Sequence, residues 1–146
     1  MKKLTNMVTA VFLVIIVNLT SCTVGPKKIR IGEDVCSFCK MSIADNRFGA
    51  EIVTKKGKVY MFDDTHCLSA FLKANTVDHQ EIKNTYFVDF NEPHDLILSE
   101  QAFLMKSTQL RSPMGGNIAA FSSQDQLNAA SGQLSGERVT LEGISK

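Results

Sequence analysis

The sequence predicts an α+β fold of two tandem ββαβ units packed together, and three observations carry that prediction. Strand-like and helical runs follow in the same order, strand, strand, helix, strand, in each half of the chain. The registers agree, because Phe62 lies six residues before Leu68 and Phe121 lies six before Leu127. Capping residues precede each helical run, Asp63-Asp64 in the first half and Ser122-Ser123 in the second. Matching order, caps and length mark an internal repeat. Each unit alone is too small to bury an adequate core, so the two are expected to pack on each other.

The first unit spans residues 35–91. Phe48–Thr54 is strand-like, with β-branched Ile52, Val53 and Thr54. Lys55-Lys56-Gly57-Lys58 supplies a turn in which Gly57 is free to take positive φ. Val59–Phe62 returns as the second strand. Cys67, Leu68, Phe71 and Leu72 then recur at helical spacing and give one apolar face. Asn75 marks the helix stop, and Tyr86–Phe90 is the third strand.

The second unit spans residues 92–146. Ala102–Met105 is strand-like, and Ile118–Phe121 is a short apolar strand after Gly115-Gly116. A helix runs from the serine caps to about Leu134, and Arg138–Ile144 alternates polar and apolar as a closing strand. Between the first two strands lies Ser112-Pro113-Met114-Gly115-Gly116, where Pro113 fixes the backbone and the glycines allow close approach. Met114 is thereby placed in a shaped loop.

The N-terminal 34 residues read differently from the rest. Lys2 and Lys3 precede the apolar run Met7–Val17, the layout of a secretory signal and too short for a comfortable membrane span. Leu19-Thr20-Ser21-Cys22 follows and resembles the lipobox of bacterial lipoproteins, in which the signal, residues 1–21, is cut before Cys22 and that cysteine is acylated. Acyl chains would hold the protein at a membrane surface. Thr23 and Val24 follow Cys22 with no Asp beside it, which by resemblance to lipoprotein sorting points to the outer membrane, with the protein facing the periplasm. Gly25, Pro26, Lys27, Lys28 and Arg30 make residues 22–34 a polar linker.

Charge excludes one class of partner. The chain has 16 basic and 15 acidic residues, and loss of the signal takes Lys2 and Lys3 with it, leaving a near-neutral protein. No nucleic acid is expected as a partner, since that needs a concentrated basic surface.

The chemistry gathers in Cys36-Ser37-Phe38-Cys39-Lys40-Met41. Two thiolates and a thioether are soft donors that select Cu(I), and Met has no place in a structural zinc site. A Cys-x-x-Cys pair also serves as a redox couple or a structural disulfide, and Met41 also suits a core gap, so these readings stand together here. With Cys22 consumed by lipid, Cys36, Cys39 and Cys67 are an odd set, and a pure disulfide framework would leave one thiol over. Cys67 shares the apolar helix face with Leu68 and Phe71, so a buried, inert thiol is the favoured reading. Met61 reads as core. His66 reads as exposed, beside Cys67, and His79 and His94 fall in polar loops. No glycine-rich phosphate loop or Ser-His-Asp arrangement is visible, and no enzyme activity is expected.

Cys36-Ser37-Phe38-Cys39-Lys40-Met41, Phe62-Asp63-Asp64 with Cys67-Leu68, Pro113-Met114-Gly115 and Ala120-Phe121 together resemble the NosL family, copper-binding accessory lipoproteins of nitrous oxide reductase maturation in denitrification. The resemblance implies two ββαβ units similar to part of the organomercurial lyase fold. It implies Cu(I) carried outside the cytoplasm and delivered to apo-nitrous oxide reductase together with an ABC-type membrane complex. It implies Cys36, Cys39, Met41 and Met114 as metal ligands; His66, Cys67 and Met61 are weaker candidates from the residues themselves. Lys40 stands where the family pattern has Gly, which predicts a loop less free to bend. Gly116 stands where some members carry His. A thiol–disulfide oxidoreductase, or a structural lipoprotein with a Cys36–Cys39 disulfide, is the alternative reading of the same cysteines.

Overall fold

The computed structural model describes residues 24–145. The expected signal, residues 1–21, and the expected acylation site at Cys22 lie outside the described residues. Among those described, no helix is long and apolar enough to cross a membrane.

The first unit consists of β1 (Ala50–Thr54), β2 (Val59–Phe62), α1 (Thr65–Lys73) and β3 (Ile82–Val88). The second consists of β5 (Phe103–Lys106), β6 (Ile118–Phe121), α2 (Gln124–Leu134) and β7 (Glu137–Val139). Strand order is β2-β1-β3 in the one sheet and β6-β5-β7 in the other, so in both units the first strand is central and antiparallel to its two neighbours. The repeat is therefore one of topology as well as of order. Asp64 caps α1 and Ser123 caps α2 with their side chains, and Leu68 and Leu127 are both buried one turn later. Asn75 takes φ 47° directly after α1, the left-handed residue that ends a helix.

Three elements differ from the sequence expectation. β3 begins at Ile82 rather than Tyr86, after a 3₁₀ turn at His79–Glu81. A further strand, β4 (Leu96–Leu98), pairs with the edge of β3. Its three residues are too few to show a period. The expected strand Arg138–Ile144 is β7 followed by a short helix, α3 (Leu141–Ser145). The tertiary contacts of α3 with α1 override the local alternation, as when Ser69 Oγ donates to the Ile144 carbonyl at 2.6 Å.

The units share one core. The first sheet packs Ala50, Ile52, Phe62 and Phe87 against Leu68, Phe71 and Leu72 of α1, and Leu104, Ile118 and Ala120 of the second sheet join the same cluster. The alternate residues Met105, Ala119 and Phe121 face the other way and pack with Leu127 of α2. Phe90 N–H donates to the Ala120 carbonyl at 2.8 Å and links the two sheets.

Residues 24–34 carry no helix or strand, yet they do not hang free as a spacer. They run as a strap along the first sheet. Val24 sits over Gly57 in the β1–β2 turn, Lys27 N–H donates to Glu51 Oε2 at 3.0 Å, and Ile29 reaches Gly49. Glu51 is thereby wholly buried, with Oε1 unpartnered among the described residues. Burial pushes its carboxyl from 4.5 up to about 7, partly opposed by the Lys27 N–H. The folded protein then holds this proton where the unfolded chain has lost it. Stability is expected to fall as pH rises from 4.5 through about 7 and to level off above. Glu51→Gln should lack this component, a difference on the order of 3 kcal/mol across that window, read by urea unfolding of both proteins at pH 5 and pH 8.

Candidate metal centre

The short bridge between Val35 and Ser42 pinches residues 36–41 into a tight loop. Cys36 N–H donates to the Met41 carbonyl at 2.8 Å and Lys40 N–H to the Cys36 carbonyl at 3.1 Å. Lys40 closes the turn at φ 65°. The loop therefore bends as a glycine would bend it, although Lys40 was expected to limit it. Its Nζ reaches back to the Ser37 carbonyl at 2.6 Å. Left-handed backbone disfavours a side chain by about 1–2 kcal/mol. Lys40→Gly is expected to stabilise the fold by up to about 1 kcal/mol after the entropy of Gly is counted, visible as a higher denaturation midpoint with the same slope.

The loop is docked on the end of β2. Ser37 N–H donates to the Met61 carbonyl at 2.7 Å, and Met61 N–H donates to Ser37 Oγ at 3.1 Å. This brings Cys36 and Cys39 to the start of α1, where Cys67 lies in the first turn. The sulfur atoms of Cys36, Cys39 and Cys67 all lie within 4.8 Å of one another. Three sulfurs arranged trigonally about one ion, at metal–sulfur distances of about 2.3 Å, stand about 4 Å apart. The thiols are thus close to a closed three-coordinate arrangement, and all three are unbridged.

Their environments differ. Burial works against the Cys36 thiolate, but hydrogen bonds from the Asp63, Cys39 and Phe38 N–H groups and from the Cys39 thiol outweigh it and lower its pKa. Burial raises Cys39, despite a backbone hydrogen bond at Met41. Cys67 is raised strongly, by burial first and then by the Cys36 charge. Cys36 and Cys67 are wholly buried, and Cys39 alone is partly exposed.

Asp64 organises the other wall. Its Oδ1 accepts from His66 N–H at 2.7 Å as the α1 cap. Its Oδ2 accepts from Ser112 Oγ at 2.6 Å and Met114 N–H at 2.9 Å, with Gly116 N–H at 3.4 Å. One buried carboxylate therefore ties the Ser112–Gly116 loop to the helix that carries Cys67. A Cβ at residue 116 would overlap Asp64 Oδ1 and crowd His66, so this loop has no room for a side chain there.

The sequence candidates separate accordingly. Cys36, Cys39 and Cys67 come together. Met114 is partly buried against the core that contains Cys36 and Cys67, and Met61 packs there too. Met41 is 48% exposed, at the rim with Phe38 and Val35. His66 is exposed, as its place off the apolar face suggested. The sequence places His94 in a polar loop, and in the fold its ring is largely buried, with Nδ1 at 3.0 Å from the Asp89 carbonyl and Nε2 at 3.1 Å from Glu92. Cys67 is the residue whose neighbours the sequence did not reveal. Its apolar-face position is real, but that face also meets the Cys-x-x-Cys loop.

A family model described as NosL matches residues 28–146. The crystal structure of the copper chaperone NosL from Shewanella denitrificans shares the fold, with TM-score 0.70 and 23% identity over 84% of this chain and 97% of that one. No curated protein sequence matches.

Proposed function

We propose, on the premise that this chain belongs to the NosL family, that it is a Cu(I) carrier whose cargo sits between Cys36, Cys39 and Cys67. The observation that carries the reading is the mutual approach of three thiols, two of them wholly buried. Three soft donors suit Cu(I), whereas a structural zinc site takes four ligands. No fourth Cys, His or carboxylate joins the cluster among the described residues. The thioethers of Met114 and Met41 are the further soft donors at hand, one packed on the core beside the thiols and one at the solvent rim.

A carrier must both hold and release its ion. Cys39 is the exposed member of the triad, so an incoming ligand reaches the ion from that side. Val35, Phe38 and Met41 are exposed around it and form an apolar collar where an acceptor would dock. The acceptor in this reading is apo-nitrous oxide reductase, served together with the ABC-type maturation complex. Anchorage through a lipid on Cys22, at the periplasmic side of the outer membrane, belongs to the same proposal and rests on the lipobox-like Leu19-Thr20-Ser21-Cys22. Dithiol–disulfide exchange is disfavoured because Cys36, the thiol with the lowered pKa, has no exposed surface for attack on a protein disulfide.

Titration decides the reading. The reduced protein is expected to bind about one Cu(I) and to retain it against excess Zn²⁺, as soft donors require. Preferential retention of Zn²⁺ in that competition would sink the carrier reading.

A further inference from the structure

The strap of residues 24–34 begins at one end of the first sheet. Val24 lies on Gly57 in the β1–β2 turn, and Lys83 Nζ donates to the Val24 carbonyl at 3.3 Å. Cys22 is two residues upstream in the sequence. This end of the sheet is basic. The turn carries Lys55, Lys56 and Lys58, all exposed, and Lys83 is beside them. The C-terminus of α1 arrives at the same place with Lys73, because His79 Nε2 meets the Leu72 carbonyl at 3.3 Å and Lys55 N–H donates to the Glu81 carbonyl at 2.8 Å. Opposing them are Asp78 and Glu81, the latter paired with Lys56 at 3.1 Å. Positive charge remains in excess.

The thiol cluster lies at the opposite end. Antiparallel pairing sets Phe62 and Ala50 together at one end of the strands and Val59 with Val53 near the turn. Cys36, Asp63 and Cys67 follow the Phe62 end. Between the turn and Asp63 the chain runs extended through β2, Val59–Phe62, a rise of about 13 Å.

We propose that the lysine-bearing end of the first sheet is a seat for anionic phospholipid headgroups, and that it turns the thiol cluster away from the bilayer. The proposal takes lipid attachment at Cys22 from the reading above. A lipid attached two residues before Val24 in the sequence brings the headgroup layer to the turn. Lysines near an anionic surface are attracted to it, so anchor and charge select one orientation. The exposed rim of the cluster, at Phe38 and Met41, then faces the aqueous side from which a large acceptor would approach.

The test uses the full lipidated protein placed on vesicles of neutral phosphatidylcholine, or of phosphatidylcholine with phosphatidylglycerol. A water-soluble amine reagent is applied in limiting amount, and each lysine is read by peptide mass spectrometry. Labelling of Lys55, Lys56 and Lys58 should be about fivefold lower on the anionic vesicles than on the neutral ones, as attraction to anionic headgroups implies. Lys40, in the thiol loop, should label equally in both. Unchanged labelling at the turn, or protection of Lys40 in its place, would overturn the proposal. Flotation separates the two premises. If the wild type fails to float with neutral vesicles in high salt, lipid anchorage fails. Salt-sensitive flotation on anionic vesicles, lost in the Lys55→Glu/Lys56→Glu/Lys58→Glu variant, would then still uphold the headgroup seat. No flotation on anionic vesicles at low salt overturns the seat as well.

Discussion

Cys67→Ala should lower Cu(I) affinity at least as far as Cys36→Ser or Cys39→Ser does, and by more than the roughly 10–100-fold expected for loss of a merely supporting residue. The reason is geometric. The Cys67 sulfur lies within 4.8 Å of both other sulfurs, so its loss leaves a two-thiol site open on its buried side. The fold should survive, because a small group is removed from a helix whose apolar face keeps Leu68, Phe71 and Leu72; the stability loss should be about 1 kcal/mol. Competition against a Cu(I) chelator measures the first effect, and thermal melting of the same samples measures the second. Wild-type affinity in Cys67→Ala would make the centre a Cys36–Cys39 pair completed by Met114 or Met41.

Asp64→Ala should be the most destabilising single change near the site. It removes the α1 cap, a loss of about 1 kcal/mol. It also strips the acceptor from Ser112 Oγ, Met114 N–H and Gly116 N–H. These donors are part-buried, so each lost hydrogen bond adds about 0.5–1.5 kcal/mol, and a total of about 3 kcal/mol is expected. Copper retention should fall as well, since the Ser112–Gly116 loop loses its tie to the helix that carries Cys67. Asp64→Asn keeps one carbonyl oxygen for the cap and should be milder. Denaturant unfolding of wild type and both variants settles the order. A loss under about 1 kcal/mol for Asp64→Ala would mean that the loop is held by other contacts.

The repeat was legible in the sequence because its signals are local. Caps at Asp64 and Ser123, the Gly57 turn and the spacing of Leu68 and Phe71 act within a few residues of themselves. Short-range hydrogen bonds and one-sided burial leave a period in the chain, and the period survives folding. The ends of β3 and β7 were less legible. Their pairing depends on partners far along the chain, and Leu141–Ser145 turns helical where it meets α1. β4 has three residues and no period to read.

For the site, the sequence by itself determined the donor chemistry: a Cys-x-x-Cys-x-Met run, a Met in a Pro-Met-Gly loop and one further cysteine on a helix. Tertiary structure alone decided which of these meet. Cys67 is 31 positions from Cys36, and an apolar helix face has the same pattern whether it meets leucines or thiols. Only the docking of the 36–41 loop on Met61 sets those thiols against it. Asp64 shows the same division, since its cap to His66 is readable from spacing and its bonds to Met114 and Gly116 are not. Local chemistry is written in order and period. A centre is made by contacts between distant segments, within the first unit for the three thiols and across the two units for the loop that Asp64 holds.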